Sequence, residues 1–445
     1  MKVHQRNHIY TETSPYYLAS QNTTMKFHAL HELPTGKNPQ PNSYKKHILL
    51  FFYFLLLTSI LLWLRNSSPS SFQSPQKDRS SLKSVDLGKK CNLFNGTWVP
   101  FPNEPYYNNE TCGWIIDQQN CLKFGRPDLE FLKWRWKPYD CDLPFFDAAQ
   151  FLELVKGKSL AFLGDSVGRN QMLSLLCLLS SVTYPEDDSH IYYSDTTYFK
   201  RFIYKDYNFT LGTLWAPFLV KAKESDPNGY SANSRMNLYL DEPEETWAAQ
   251  VEMFDYVIVS AGQWFFRPSM LHEKGRLIGC SNCKEENITD LTTYYAYGRA
   301  FRTLFRTLLR LENYKGVTIL RTFSPSHFEN GVWNAGGNCP RTRPFAKGEV
   351  SPDQYILDMH STQTEEFRAA EEIGKKMGLK FSMIDTTEAM FMRPDAHPNY
   401  NGHSPRSNTS IADCVHWCLP GPIDTWNEML LHILRTGQRP QNGTQ

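Results

Sequence analysis

Leu160-Ala161-Phe162-Leu163-Gly164-Asp165-Ser166-Val167-Gly168-Arg169-Asn170 is an apolar run that stops abruptly at Gly-Asp-Ser. Residues 171–180 behind it carry a helical pattern. The stretch reads as strand, sharp turn and helix, which lifts a serine hydroxyl to the carboxyl edge of a sheet. In open α/β folds ligands bind at that edge. The start of the next helix offers free backbone N–H groups and the positive end of a dipole. A serine nucleophile with an oxyanion hole needs those surroundings. Taken alone, Gly-Asp-Ser is also a common tripeptide that can be a turn and nothing more. Asp165, directly beside Ser166, suits the turn: its carboxylate can bond nearby backbone N–H groups.

The same alternation continues outward. Strand-like runs fall at 159–163, 256–260, 317–323 and 380–384, and helix-like runs at 171–180, 294–312, 365–377 and 425–434. In the second helix Phe301, Leu304, Phe305, Leu308 and Leu311 keep helical spacing, with Arg299, Arg302, Arg306 and Arg310 as a solvated face. Alternating strands and helices predict an α/β fold with a parallel sheet covered on both sides. There is no G-x-x-x-x-G-K loop, and Gly164 with Gly168 makes no dinucleotide fingerprint.

The chain has 445 residues, 41% of them hydrophobic and 14% aromatic, and 47 basic residues balance 46 acidic ones. That balance implies no polyanion partner such as nucleic acid. Residues 1–44 read as a polar cytosolic tail. Segment 45–65, with an uncharged core at 48–64, reads as a signal-anchor transmembrane helix near the lower length limit. Residues 66–88 form a Ser/Pro-rich luminal stem. Segment 89–144 is Cys-rich and aromatic, a small disulfide-stapled lobe packed on the domain behind it. Residues 145–436 form that catalytic domain, and 437–445 a disordered tail.

All ten cysteines follow residue 90: Cys91, Cys112, Cys121, Cys141, Cys177, Cys280, Cys283, Cys339, Cys414 and Cys418. An even set after a membrane segment suggests disulfides in an oxidising lumen. Zinc at Cys280/Cys283 or Cys414/Cys418 is disfavoured because neither pair has a second pair of ligands nearby, and no metal is expected. Leu175, Leu176, Leu178 and Leu179 around Cys177 read, on their own, as the setting of a buried free thiol. Sequons at Asn95, Asn109, Asn208, Asn287 and Asn408 are glycosylation candidates in the same lumen; Asn66 and Asn442 also carry the pattern.

A serine needs a base, usually a histidine held by a carboxylate. His416 stands out in Asp413-Cys414-Val415-His416-Trp417-Cys418. Three residues apart on one helical turn, Asp413 and His416 would project from one face, with Cys414 and Cys418 able to staple them. His397, in Arg393-Pro394-Asp395-Ala396-His397-Pro398, is the alternative base. His327 reads as a groove residue or a structural polar turn. Gly262, Gln263, Arg169 and Asn170 are candidates for oxyanion or substrate contacts. Trp264 and Trp333 could stack on sugar rings or pack in the core, and Asn334 lies in the long polar loop after the third strand.

These blocks together resemble the plant trichome-birefringence-like proteins, polysaccharide O-acetyltransferases of the Golgi. The resemblance covers about residues 89–436. It rests on Cys91-Asn92-Leu93-Phe94-Asn95-Gly96-Thr97-Trp98-Val99, Gly164-Asp165-Ser166 with Arg169-Asn170-Gln171, Gly262-Gln263-Trp264, Phe328-Glu329-Asn330-Gly331 and Asp413-Cys414-Val415-His416-Trp417-Cys418-Leu419-Pro420-Gly421. It implies an SGNH/GDSL-like, Rossmann-related catalytic lobe with a smaller disulfide-linked lobe, a Ser166–His416–Asp413 triad, and a bonded Cys177. It further implies acetyl transfer to a cell-wall polysaccharide, xyloglucan first and xylan next, in the Golgi lumen. No bound cofactor is expected. An acetyl donor, acetyl-CoA or another carrier, is required, and a membrane protein that supplies acetyl groups is a candidate partner. An acetyl esterase and a non-catalytic polysaccharide-binding protein are the competing readings.

Overall fold

A computed structural model describes residues 91–194, 199–225, 234–403 and 411–437. The tail, the anchor at 45–65, the stem and the sequons at Asn66, Asn408 and Asn442 lie outside them. Among the described residues no helix is long and apolar enough to cross a membrane.

In chain order the strands are β1 (Gly96–Pro100), β2 (Trp134–Pro138), β3 (Ser159–Gly164), β4 (Glu186–Asp187), β5 (Lys200–Tyr204), β6 (Phe209–Trp215), β7 (Val220–Glu224), β8 (Met236–Pro243), β9 (Tyr256–Ser260), β10 (Ser269–Glu273), β11 (Arg276–Ser281), β12 (Val317–Arg321) and β13 (Lys380–Ile384). The principal helices are α1 (Ala148–Leu154), α2 (Ser166–Leu179), α3 (Glu245–Gln250), α4 (Thr293–Arg310), α5 (Gln354–Lys376), α6 (Thr387–Phe391) and α7 (Asp424–Gly437). The main sheet has the order β13-β12-β9-β3-β6-β5-β4. Its five strands from β13 to β6 are parallel, and β5 and β4 add an antiparallel edge.

Alternation along β3 sorts the two cores. Leu160 and Phe162 pack with α1, α2 and α7. Ala161 and Leu163 pack with α4, α5 and a second sheet. Burial on both faces explains why the central strands read as continuous apolar runs. The second sheet, β11-β10-β8-β7, went unrecognised in the sequence. Its strands are half exposed: in β8 Met236, Leu238 and Leu240 point inward between polar neighbours, so the signal is alternation rather than a run.

The Cys-rich segment has no core of its own. Trp98, Tyr107, Phe131 and Trp136 belong to the cluster that holds α1, α2 and α7. All ten cysteines are paired, as Cys91–Cys141, Cys112–Cys177, Cys121–Cys418, Cys280–Cys283 and Cys339–Cys414. Cys177 is therefore no free thiol. It ties α2 to the Cys-rich segment.

Candidate active site

β3 ends at a position only glycine can fill. Gly164 has φ +142°, and a Cβ there would lie 1.7 Å from the Ser260 carbonyl oxygen. β3 and β9 pair with Gly164 opposite Ser260, and the Asp165 N–H donates to the Ser260 carbonyl at 2.9 Å. Asp165 then caps α2, its Oδ1 accepting from the N–H groups of Val167 (3.0 Å) and Gly168 (3.4 Å). That places Ser166, half-buried, as the first residue of the helix. Burial raises the Asp165 pKa against the pull of Arg321 and the two N–H groups.

Arg321 beneath this turn was not singled out from sequence, although a cation closing the apolar run of β12 is a legible signal. It is 2% exposed. Its guanidinium donates to the Thr322 carbonyl at 2.6 Å and to the Ser260 hydroxyl. It also sits 4.9 Å from the Trp426 ring centroid. Burial lowers its pKa and the charge of Asp165 raises it, so each of these buried ions offsets the other's desolvation.

His416 and Asp413 meet, though not on a helix as the spacing predicts. Asp413 lies in an isolated bridge to Asn399 and the chain then bends. Asp413 makes the turn itself, its Oδ1 accepting from the N–H groups of Val415 (3.1 Å) and His416 (2.9 Å). Folding back this way brings His416 Nδ1 to 2.7 Å from Asp413 Oδ2. Carboxylate competition for backbone N–H groups is what keeps such residues out of helices. Burial raises the Asp413 pKa, but His416 and three hydrogen bonds prevail and hold it at about 2. For His416 burial acts downward and Arg169 adds to it. The Asp413 charge and hydrogen bond outweigh both and raise the ring above its ordinary value. His416 Nε2 is buried and has no hydrogen-bond partner among the described residues.

Asn170 joins the two halves. It is fully buried. Its Oδ1 accepts from the Trp417 N–H at 2.7 Å, and its Nδ2 donates to the Trp417 carbonyl at 3.3 Å. One turn after Ser166 on α2, it fastens the residue next to His416. Its oxygen and one of its two amide N–H groups are committed to that clamp. His397 is 1% exposed with both ring nitrogens engaged, by the His416 carbonyl and by His327, so it has no nitrogen left for a serine. His327 is likewise committed, to Phe391 and His397, which removes it from groove contacts through its nitrogens.

The other candidates divide. Gly262 lies two residues beyond Ser260 as Ser166 lies two beyond Gly164, so both stand at the same sheet edge. A Cβ at Gly262 would meet the Phe323 ring at 2.6 Å. Gln263 Nε2 donates to the Ser324 carbonyl at 2.7 Å, tying the turn after β9 to that after β12. Trp264 packs edge-on against Trp215 and Phe218, each at 5.7 Å between centroids. Arg169 is half-buried, 5.6 Å from the Trp215 ring centroid. Trp215 pairs directly with Gly164 and was missed, although it closes the apolar stretch of β6. Trp333 and Asn334 lie in a turn whose base is fixed beside Asp413 by the Glu329–Asn338 bridge and the Cys339–Cys414 disulfide. Asn95, Asn109, Asn208 and Asn287 are exposed.

Among known proteins, residues 143–433 match the PC-esterase family, the GDSL/SGNH-like acyl-esterase family found in Pmr5 and Cas1p. The chain belongs to this family. Residues 89–142 match the PMR5 N-terminal domain. The chain is 48% identical to trichome birefringence-like protein 19 of Arabidopsis thaliana over 85% of its own length and 91% of that protein. It is 46% identical to xyloglucan O-acetyltransferase 4 of Populus trichocarpa over 78% and 81%. With xyloglucan O-acetyltransferase 2 of Arabidopsis thaliana it shares 40% over 78% and 84%. It is an acetyl-transferring enzyme.

Proposed function

We propose that this enzyme moves acetyl groups onto hydroxyls of a plant cell-wall polysaccharide, xyloglucan before xylan, by double displacement through an acetyl-Ser166. The observation that carries the reading is His416: Nδ1 is held by Asp413, Nε2 is unengaged, and the segment is clamped by Asn170 one turn from Ser166. Nε2 takes the Ser166 proton as Oγ attacks the acetyl carbonyl carbon. The oxyanion is met by the N–H groups of Ser166 and Gly262 at the sheet edge. As the bond to the carrier breaks, His416 returns the proton to the leaving group. A sugar hydroxyl then gives its proton to His416 and attacks the acetyl-serine, which releases Ser166. Losing one oxyanion donor typically costs about 10²–10³ in rate.

The acceptor class is supported by the names of the relatives, and transfer over hydrolysis by the same names. A Golgi-luminal, single-pass location is supported by five disulfides and four exposed sequon asparagines. The donor is an activated acetyl carrier, acetyl-CoA or one supplied by a membrane partner.

The full chain is incubated with an isotope-labelled acetyl donor and xyloglucan or xylan oligosaccharides, and products are weighed by mass spectrometry. Labelled acetyl on sugar is expected from wild type, with loss of at least about 10³-fold in Ser166→Ala and unchanged circular dichroism. Wild-type transfer by that variant overturns the mechanism. Free acetate without acetylated sugar favours the esterase reading.

A further inference from the structure

Three hydrogen bonds behind His416 fix a proton count that the two rings cannot meet when neutral. His397 Nδ1 lies 2.7 Å from the His416 carbonyl oxygen. A carbonyl only accepts, so Nδ1 carries a hydrogen. His327 Nε2 lies 2.9 Å from the Phe391 carbonyl oxygen, so that nitrogen carries one too. What remains is His327 Nδ1 facing His397 Nε2 at 2.7 Å. In the neutral tautomers both are lone pairs, and hydrogen-bond distance between two acceptors is repulsive. One additional proton turns the contact into N–H···N.

We propose that His327 and His397 share one buried proton, as imidazole and imidazolium, and act as a positioning pair that holds the His416 main chain from behind. The surroundings suit a single charge. The Trp417 indole stacks on His397 at 4.1 Å between centroids and 25° between planes, a cation–π arrangement. Asp413 acts on His397 and Glu329 on His327 in favour of the charge. Arg126, which donates to the His397 carbonyl at 2.7 Å, and Arg341 act against it. Asp395 is spent on Arg393. Burial presses both rings downward, His327 to about 4 and His397 well below its ordinary value; it opposes the first proton as it opposes a second, and what favours one proton is the relief of the two facing lone pairs. The proton belongs to the pair and not to either ring. His327, half-exposed, is the side from which it exchanges with solvent.

The positioning role rests on His416 being the base, but the shared proton does not, and the test separates the two. Full-length protein labelled with ¹⁵N-histidine is followed by long-range ¹H–¹⁵N spectroscopy across about pH 6–9. The expected result is one coupled pair of rings that keeps a single shared proton through neutrality, and it disappears in His327→Gln. Rings that are both neutral at pH 7, with facing nitrogens unprotonated, overturn the proposal without touching the acetyl-transfer reading. In kinetics His327→Phe, which strips His397 of its partner, should lower kcat about 10-fold or more with KM nearly unchanged. His327→Gln makes the same contact without a proton, and should recover most of that rate and lose any alkaline fall in kcat that wild type shows. Wild-type kcat and pH profile in His327→Phe overturn the positioning role even where the shared proton is found.

Discussion

Asp413 does two jobs with one carboxylate. One oxygen shapes the turn through two N–H groups while the other holds the His416 ring, so geometry and electrostatics change together when it is replaced. The base must be neutral to accept a proton, and the His416 pKa is raised. The acid limb of kcat/KM is therefore expected above the ordinary histidine value of about 6.5. Asp413→Asn removes what raised it while burial still presses the ring down. The limb should move to lower pH, and kcat should fall by about 10³–10⁴ because the tautomer is no longer fixed. A pH profile of both enzymes checks this, and an unmoved limb argues against His416 as the titrating base. The raised pKa also has a stability sign. On the histidine side the contribution is fully present below the unfolded histidine value and is lost as pH rises through the folded one; on the carboxylate side it is present above the unfolded aspartate value and is lost as pH falls through about 2.

At the scale of elements, the decisive contact is between α2 and the loop that leads into α7. Ser166 and Asn170 are one helical turn apart and face the same way, so one helix both presents the serine and grips Trp417. Asn170→Ala leaves the Trp417 N–H and carbonyl without partners, at about 1–3 kcal/mol for each buried group. Thermal denaturation should show the loss. Turnover should drop about 10-fold or more with KM little changed, because a displacement near 1 Å at the base suffices. Equal losses in kcat and KM terms would argue that Asn170 touches substrate after all. The sequence contained both ends of this contact, Gly164 to Asn170 and Asp413 to Cys418. Its partner roles were hidden, since an asparagine beside a candidate serine reads equally as donor, clamp or surface residue. The start of α5 was hidden for a different reason. The predicted helix begins at 365, but α5 starts at Gln354; His360, Ser361, Thr362 and Thr364 are weak helix formers, and burial of Ile356 and Met359 against the sheet overrides them.

Across the whole molecule the Cys-rich segment is part of the site's foundation. Cys121 is bonded to Cys418, two residues from His416, across 297 residues of chain. Arg126 donates to the carbonyls of His397 and Asp395, and the Leu419 N–H donates to the Gln119 carbonyl at 2.8 Å. Replacing both Cys121 and Cys418 by serine should cost about 2–5 kcal/mol of stability and, with His416 as the proposed base, also lower kcat, because the cross-link anchors the His416 segment. The double serine variant at Cys280 and Cys283, which close a loop three residues apart, should cost far less and leave kcat unchanged. Calorimetry and kinetics on the two variants side by side decide it; equal damage from both would mean that the cross-link serves stability alone.

The sequence by itself determined the alternating α/β order, the apolar strand that stops at Gly164, the turn role of Asp165, and the pairing of Asp413 with His416. Each is a local property: a run, a period, or two side chains within one turn of backbone. Only the tertiary structure separates His416 from His397, because both are histidines near an aspartate and they differ in what occupies their ring nitrogens. It also decided that Asn170 is a clamp, that Cys177 is bonded to Cys112, and that Arg321 underlies the serine turn. Those facts join residues tens to hundreds of positions apart. Which hydrogen-bonding groups are already spent is known only once the chain has closed on itself.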